Sequence, residues 1–318
     1  RSSIPLTTYG DYLPLLGSLD DSVLGVKPAE WAHTTGAQAD FKWVPYTPRG
    51  LERLLDNIMA SLILSAASRP GDVRIWPGST ILYNTPERPY LSGLATFGMR
   101  ERFGFRTVLD PELSEHLDFK ERVRRGFEAA LGKRVDGIIS MTSVLVKVGE
   151  GFAEHAGRTR LGPSLLRPRV LYRLGKAFLK SKFSGGQVMP KDLWPVKAIV
   201  GWGIDTPYFR EKVRYYWGKL PYEVYACTEG GVMGMQTWRK EGLVFNPYSD
   251  FFEFIPMDES LRSRADHRYQ PRTVLLDQVE PGESYEVVIT NFYGMAFLRY
   301  RVGHFVQFLP VEEGGRRG

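Results

Sequence analysis

The chain of 318 residues has a single cysteine, Cys227. An internal disulfide framework and a zinc site built from cysteines are thereby excluded. A reducing, cytosolic setting fits best. No apolar run approaches the roughly 18 residues a membrane-spanning helix needs, so no membrane partner is expected. The start, Arg1-Ser2-Ser3-Ile4-Pro5, has neither an initiator Met nor an apolar signal core. With Glu313-Gly314-Gly315-Arg316-Arg317-Gly318 at the other end, both termini read as cuts. Acidic residues are missing from His155 to Lys191, where Arg158, Arg160, Arg167, Arg169, Arg173, Lys176, Lys180, Lys182 and Lys191 stand. Against a net charge of +6, that stretch supplies more than the whole excess. The basicity is local, so a nucleic-acid coat is not expected. With 43% hydrophobic and 25% charged residues, the chain has the balance of a globular protein and is long enough for two lobes.

The apolar pattern gives the elements. Leu51, Leu54, Leu55, Ile58, Met59, Leu62 and Ile63 fall at the spacing of one buried helix face, ended by Pro70-Gly71. Trp31 to Thr47 reads as strand–loop–strand, and residues 3–16 as a docking segment. Asp72 to Tyr83 alternates toward strand. Phe119 to Leu131 reads as a helix closed by Gly132. Val135 to Ser140, Val196 to Gly201 and Tyr222 to Cys227 are short buried strands, while Val144–Phe152 and Pro207–Trp217 are helical. One helix is expected within 158–182, with Leu165, Leu166, Val170, Leu171, Leu174, Ala177 and Phe178 as its apolar face. After residue 250 strands dominate: Phe251 to Ile255, Tyr285 to Thr290 and Leu298 to Phe308. An α/β lobe followed by a β-rich subdomain results.

Three segments have the residue types for phosphate chemistry. Thr34-Thr35-Gly36-Ala37-Gln38-Ala39-Asp40-Phe41-Lys42 combines hydroxyls, a glycine and a lysine, although its spacing is not that of a Walker loop and a surface turn has the same composition. Tyr225-Ala226-Cys227-Thr228-Glu229-Gly230-Gly231 delivers a hydroxyl and a carboxylate to a strand's carboxyl end, where α/β proteins bind ligands and where Mg²⁺ finds oxygen donors; a solvated turn is the plain alternative. Leu298-Arg299-Tyr300-Arg301-Val302-Gly303-His304 offers guanidinium groups to an anion, or is a strand with outward-facing arginines, the simpler reading for Arg299.

The order and spacing of the three are more telling than any one. The chain resembles the adenylate-forming enzymes, and among them the auxin-responsive acyl acid–amido synthetase family. Tyr9-Gly10-Asp11-Tyr12-Leu13-Pro14 is similar to that family's opening segment. Glu30 to Gly36 with Lys42 is similar to its phosphate loop, and Tyr225-Ala226-Cys227-Thr228-Glu229 to its Tyr-x-x-Ser/Thr-Glu signature. Asp250 to Pro256, Val279 to Thr290 and Tyr300-Arg301-Val302-Gly303 follow in the family's order.

The resemblance implies an α/β fold: the N-terminal domain of an adenylate-forming enzyme, with mixed or parallel sheets, helices and a β-rich subdomain. Residues 1–190 would form a first α/β subdomain with the phosphate loop, 191–310 a second α/β and β-rich subdomain, and 311–318 a tail. It implies a ligase that activates a carboxylic acid with ATP and Mg²⁺ and passes it to an amino acid; an acyl-CoA ligase and a non-catalytic nucleotide- or acid-binding homologue are the alternatives. Thr34, Thr35, Gly36 and Lys42 would cradle phosphates, with Gln38 an amide donor beside them. Tyr225 would pack on adenine, Thr228 would reach the α-phosphate, Glu229 would hold Mg²⁺, and Arg301 would sit by phosphate or ribose. Met141, Thr142, Ser143, Trp202, Gly203 and Ile204 would line the acid pocket. His304 stands where the family has an Asp that accepts both ribose hydroxyls. A neutral imidazole offers one acceptor, which is expected to weaken ATP binding by about 1–3 kcal/mol. Because 14 residues follow His304, the family's C-terminal lid domain is expected to be absent from this chain.

Overall fold

The computed structural model describes residues 4–34, 41–154, 168–184, 187–203 and 205–310. Along the chain lie α1 (Tyr9–Leu16), β1 (Glu30–His33), β2 (Trp43–Tyr46), α2 (Pro48–Ala66), β3 (Thr80–Asn84), α3 (Leu91–Phe103), β4 (Arg106–Thr107), α4 (Pro111–Ser114), α5 (Phe119–Leu131), β5 (Gly137–Met141) and α6 (Thr142–Glu154). There follow α7 (Pro168–Ser184), α8 (Pro190–Leu193), β6 (Ala198–Trp202), α9 (Thr206–Trp217), β7 (Tyr222–Cys227), β8 (Gly231–Met235), β9 (Val244–Phe245), β10 (Asp250–Pro256), α10 (Met257–Ala265), β11 (Ser284–Asn291) and β12 (Tyr300–Gln307). No helix of the described residues is long and apolar enough to cross a membrane.

The chain forms two compact units, interleaved in sequence. The first comprises residues 1–54, 227–233 and 245–318; the second comprises 55–226 and 234–244. A linear reading with a boundary at 190 does not express this division. In the first unit β1 and β2 make an antiparallel hairpin, and β10, β11 and β12 an antiparallel sheet in that order. Residue 7, read as part of a docking segment, adds an extended bridge beside β12: Thr7 N donates to Arg299 O at 2.9 Å, and Arg301 N to Thr7 O at 2.8 Å. The sheet is packed by aromatic edges, with Phe254 5.1 Å from Phe308 and 5.2 Å from Phe245.

The second unit holds most of a seven-stranded sheet in the order β4-β3-β5-β6-β7-β8-β9. Strands β4, β3, β5, β6 and β7 are parallel. Ile138, Ile199, Leu82, Phe127, Trp194 and Trp217 belong to its core, and both indoles are satisfied by carbonyls, Trp194 by Ala130 and Trp217 by Leu145, each at 3.0 Å. The strand expected over 72–83 is confined to β3, because Pro77 and Gly78, with φ of 82°, interrupt it. Within α7, Val170 and Ala177 are buried as expected, but Leu171 and Phe178 are exposed at 45% and 62%. The expected face therefore narrows to its inner edge. Arg158, Arg160, Arg167, Leu165 and Leu166 lie outside the described residues.

Candidate functional site

The hairpin of the first unit closes where Thr34 N donates to Lys42 O at 3.1 Å and Lys42 N donates to Thr34 Oγ1 at 3.4 Å. Thr35, Gly36 and Gln38, expected at its tip, lie outside the described residues, as do Ala37, Ala39 and Asp40. Tyr9, from α1, clamps the base of the hairpin: its hydroxyl accepts Trp43 N at 2.7 Å and donates to Trp43 O at 3.0 Å. The Lys42 ammonium lies 5.7 Å from the Tyr9 ring and 5.8 Å from the Tyr300 ring. Two π-faces thus flank it.

Lys42 Nζ donates to Glu229 Oε1 and to the Tyr300 hydroxyl, both at 3.1 Å, and that hydroxyl donates to the same Oε1 at 3.0 Å. Glu229 is 5% exposed and sits in the turn between β7 and β8. Such charge-assisted donors offset the cost of burying a carboxylate. Burial, then the Glu229 charge, raises the Tyr300 pKa, so the phenol stays a donor. The turn is pinned from below. Tyr46 donates to Thr228 O at 2.8 Å, and Asn291 Nδ2 donates to Glu229 O at 3.1 Å and to Asp250 Oδ1 at 2.8 Å. Gly231, at φ 64°, supplies the left-handed step by which the chain leaves the turn. Cys227 is half-buried, and burial of its thiol, then the Glu229 charge, pushes its pKa up.

His304 reaches the same cluster from β12. Opposite the step from Val288 to Glu286, β12 advances from Arg301 to Phe305, an irregularity absorbed by Gly303 at φ 79°. His304 presents an accessible edge, while the protein crowding the rest of the ring lowers its pKa; Glu229 opposes that shift and Lys42 adds to it. The ring is neutral at pH 7.

The structure thus brings Lys42, Glu229, Thr228 and His304 together, with Thr34 beside Lys42. It does not bring Arg301 into this cluster. Arg301 Nε and Nη2 donate to Glu286 at 2.9 and 2.6 Å, and Glu286 also accepts the Ser260 hydroxyl. Burial opposes ionisation of Glu286, but these donors hold its pKa below the usual range. Arg299 is not outward-facing, contrary to the simpler reading. It adopts φ 46°, is 8% exposed, and forks onto Glu253 at 2.9 and 3.0 Å. The regular strand starts one residue later, so alternation counted from Leu298 mispredicts it.

Tyr225 lies in the second unit, half-buried on β7. Met141, Thr142, Ser143, Trp202 and Gly203 also belong there, at the carboxyl ends of β5 and β6, where Met141 is in register with Trp202. Thr142 Oγ1 is 3.1 Å from Thr206 Oγ1, which donates to Gly203 O at 2.8 Å. Ile204 is outside the described residues. In this sheet β4 and β5 lie on opposite sides of β3, a reversal of strand order of the kind at which open α/β sheets bind ligands beyond their carboxyl edge. Sequence reasoning missed Tyr300, Tyr46, Asp250 and Asn291 as functional neighbours. Only for Tyr300 was there a signal: strand alternation puts it on the opposite face from Arg301.

For Mg²⁺ the fit rests on one carboxylate. No group of three or more His, Cys, Asp or Glu that could hold a metal occurs among the described residues. Both protein donors converge on Glu229 Oε1, which leaves Oε2 for a hard cation completed by phosphate oxygens, the usual protein contribution to Mg²⁺.

Residues 243–313 match the GH3 family central domain. Jasmonoyl–L-amino acid synthetase GH3.5 of Oryza sativa subsp. japonica is 38% identical over 130 residues, covering 36% of this chain and 22% of the relative. Jasmonoyl–L-amino acid synthetase JAR4 of Nicotiana attenuata is 35% identical over 144 residues, covering 42% and 23%. The chain thus spans less than a quarter of these relatives. Among solved structures, the AtGH3.15 acyl acid amido synthetase in complex with 2,4-DB superposes with a TM-score of 0.66 at 18% identity, covering 96% of this chain and 59% of that one. An open conformation of 2-hydroxyisobutyryl-CoA ligase gives 0.57 at 12% identity, covering 96% and 59%. The fold is that of the adenylate-forming enzymes. With the motif order along the chain, these likenesses make it similar, over part of their length, to the GH3 acyl acid–amido synthetases.

Proposed function

We propose that this chain contributes the nucleotide site of an ATP-dependent ligase that joins a carboxylic acid to an amino acid in the cytoplasm. The observation that carries the reading is the Lys42–Glu229–Tyr300 cluster, which gathers a cation, a carboxylate and a phenol from three distant segments. The acid's carboxylate oxygen attacks the α-phosphorus of ATP. The bond to the bridging oxygen breaks, giving an acyl-adenylate and pyrophosphate. The amino acid's amine then attacks the acyl carbon, AMP leaves with the bonding electron pair, and the amine gives up a proton. Such chemistry needs positioning and charge neutralisation more than covalent help. Mg²⁺, when bound, would supply charge neutralisation at the phosphates.

Lys42 would stabilise the departing pyrophosphate, Thr34 with Thr35, Gly36 and Gln38 would hold the β- and γ-phosphates, and Thr228 would reach the α-phosphate. Tyr225 would pack on adenine and His304 would meet the ribose, whereas Arg301, expected by phosphate or ribose, is held outside the cluster by Glu286. Met141, Thr142, Ser143, Trp202 and Gly203 would shape the acid pocket. The tests are titration with Mg-ATP and pyrophosphate release over a panel of carboxylic acids. Glu229→Gln is expected to abolish release, by about 10²-fold or more; unchanged release sinks the assignment. Coenzyme A replacing the amino acid as acceptor would redirect the reading to a thioester ligase, and tight ATP binding without release would make the chain a binding module. His304→Asp, which restores two acceptors for the ribose, is expected to tighten Mg-ATP about tenfold, read by the same titration.

A further inference from the structure

Asp250 has no role in the reading above. It is 3% exposed, on the first residue of β10. Its Oδ1 accepts Asn291 Nδ2 at 2.8 Å, whereas its Oδ2 is buried without a hydrogen-bond partner. The groups facing it besides Asn291 are the Ser249 hydroxyl, Tyr46 of β2, itself bonded to Thr228 O, and the Cys227 thiol; all are neutral, and the Asp250 charge helps to raise the pKa values of the last two. A buried carboxylate with one idle oxygen and no cation is costly. Such a cost points to a task that a neutral apolar residue does not perform. The task is visible in Asn291. Its amide nitrogen has two hydrogens: one goes to Asp250, the other to the carbonyl of Glu229. Its amide oxygen is engaged by Phe297 N at 2.9 Å. With three contacts fixed, the amide cannot flip or rotate, and the donor offered to Glu229 has one direction.

We propose that Asp250 is a positioning residue for Glu229, acting through Asn291: it orients the amide that anchors the Glu229 carbonyl and so fixes where the carboxylate stands relative to the nucleotide's metal and phosphates. The proposal rests on the reading of Glu229 as the Mg²⁺-side carboxylate.

The test compares Mg-ATP with metal-free ATP by titration calorimetry, for the wild-type chain, Asp250→Ala, Asp250→Asn, Asn291→Ala and the Ala/Ala double variant. Asp250→Ala and Asn291→Ala are each expected to weaken Mg-ATP about tenfold while leaving metal-free ATP unchanged. The double variant should be no weaker than either single one, since both break one relay. Asp250→Asn keeps an acceptor for Asn291 and should restore Mg-ATP binding. Additive losses, an Asp250→Asn as weak as Asp250→Ala, or equal losses with and without Mg²⁺ would each overturn the proposal. If Asp250→Ala does not fold, Asn291→Ala, which leaves the carboxylate in place, decides: wild-type Mg-ATP affinity there overturns it. A wild-type chain that binds ATP equally with and without Mg²⁺ would overturn the Glu229 reading first and this one with it.

Discussion

Arg299→Ala is expected to cost about 3–5 kcal/mol of stability, read as a lowered denaturant midpoint at unchanged slope. The cause is the residue left behind. Glu253 is 1% exposed, and its carboxylate takes both prongs of the guanidinium, with the Thr273 hydroxyl on Oε1. Alanine removes the cation and strands the anion, whose solvation has already been given up. Arg299 also donates to Thr273 Oγ1 at 3.0 Å and to the carbonyl of Ile4, so three segments loosen at once. Arg299→Met paired with Glu253→Leu should recover most of the loss, because it removes both charges and keeps the volume. A loss confined to about 1 kcal/mol in the single variant would show that water reaches Glu253 and that the pair is effectively a surface one.

Asp250→Asn is expected to act in the opposite direction, and only at neutral pH and above. Burial raises the Asp250 pKa to about 7 from 3.8. The folded chain therefore keeps a proton that the unfolded chain releases at lower pH. This contribution to stability is fully present below about pH 4 and is lost as pH rises to about 7, a span worth about 4 kcal/mol. Asparagine has no such titration. Unfolding measured at about pH 4.5 should differ little between the two proteins, whereas at about pH 8 the variant should be more stable by a few kcal/mol. A constant difference across that range would mean that Asp250 titrates normally. The two substitutions bracket one rule: a buried charge with a fork-shaped cationic partner is kept, and one with only neutral donors is endured.

The helices and strands with a clear apolar period were legible. Phe119–Leu131 and Tyr222–Cys227 were read to the residue, the former fixed by an apolar stripe, by Asp118 at its start and by Gly132 at its end. Helix α3 was not read, and its glycines explain why. A Cβ on Gly93 would lie 2.3 Å from the Glu87 carbonyl carbon, and one on Gly98 would lie 2.6 Å from Leu55, so close packing selected residues that look like a loop. Helix α10 carries little apolar pattern. Its sign was the charge order, with Asp258 and Glu259 in the first turn and Arg262 and Arg264 in the last, which suits the helix dipole. In the candidate site, motif order singled out Lys42 and Glu229, whose side chains the fold joins across 187 residues. The tyrosines and the Asp250–Asn291 pair were silent, because their value comes from side chains that meet only after the sheet registers are set.

The bridge between Thr7 and Tyr300 has a consequence for how the molecule is made. A ribosome releases the segment around Thr7 early and the strand that receives it some 290 residues later. At about 5–20 residues per second, the early segment waits on the order of tens of seconds with its edge unclaimed. Closing so long a loop costs little more than closing a shorter one, since the entropy grows only with the logarithm of length. The delay, rather than the final stability, is thus the vulnerable quantity. The second unit, with its sequence-local parallel strands, has time to form first. The Lys42–Glu229–Tyr300 cluster, whose lysine and tyrosine lie 258 residues apart, cannot assemble until Tyr300 has emerged, so a chain interrupted before that point carries the parallel strands without the cluster.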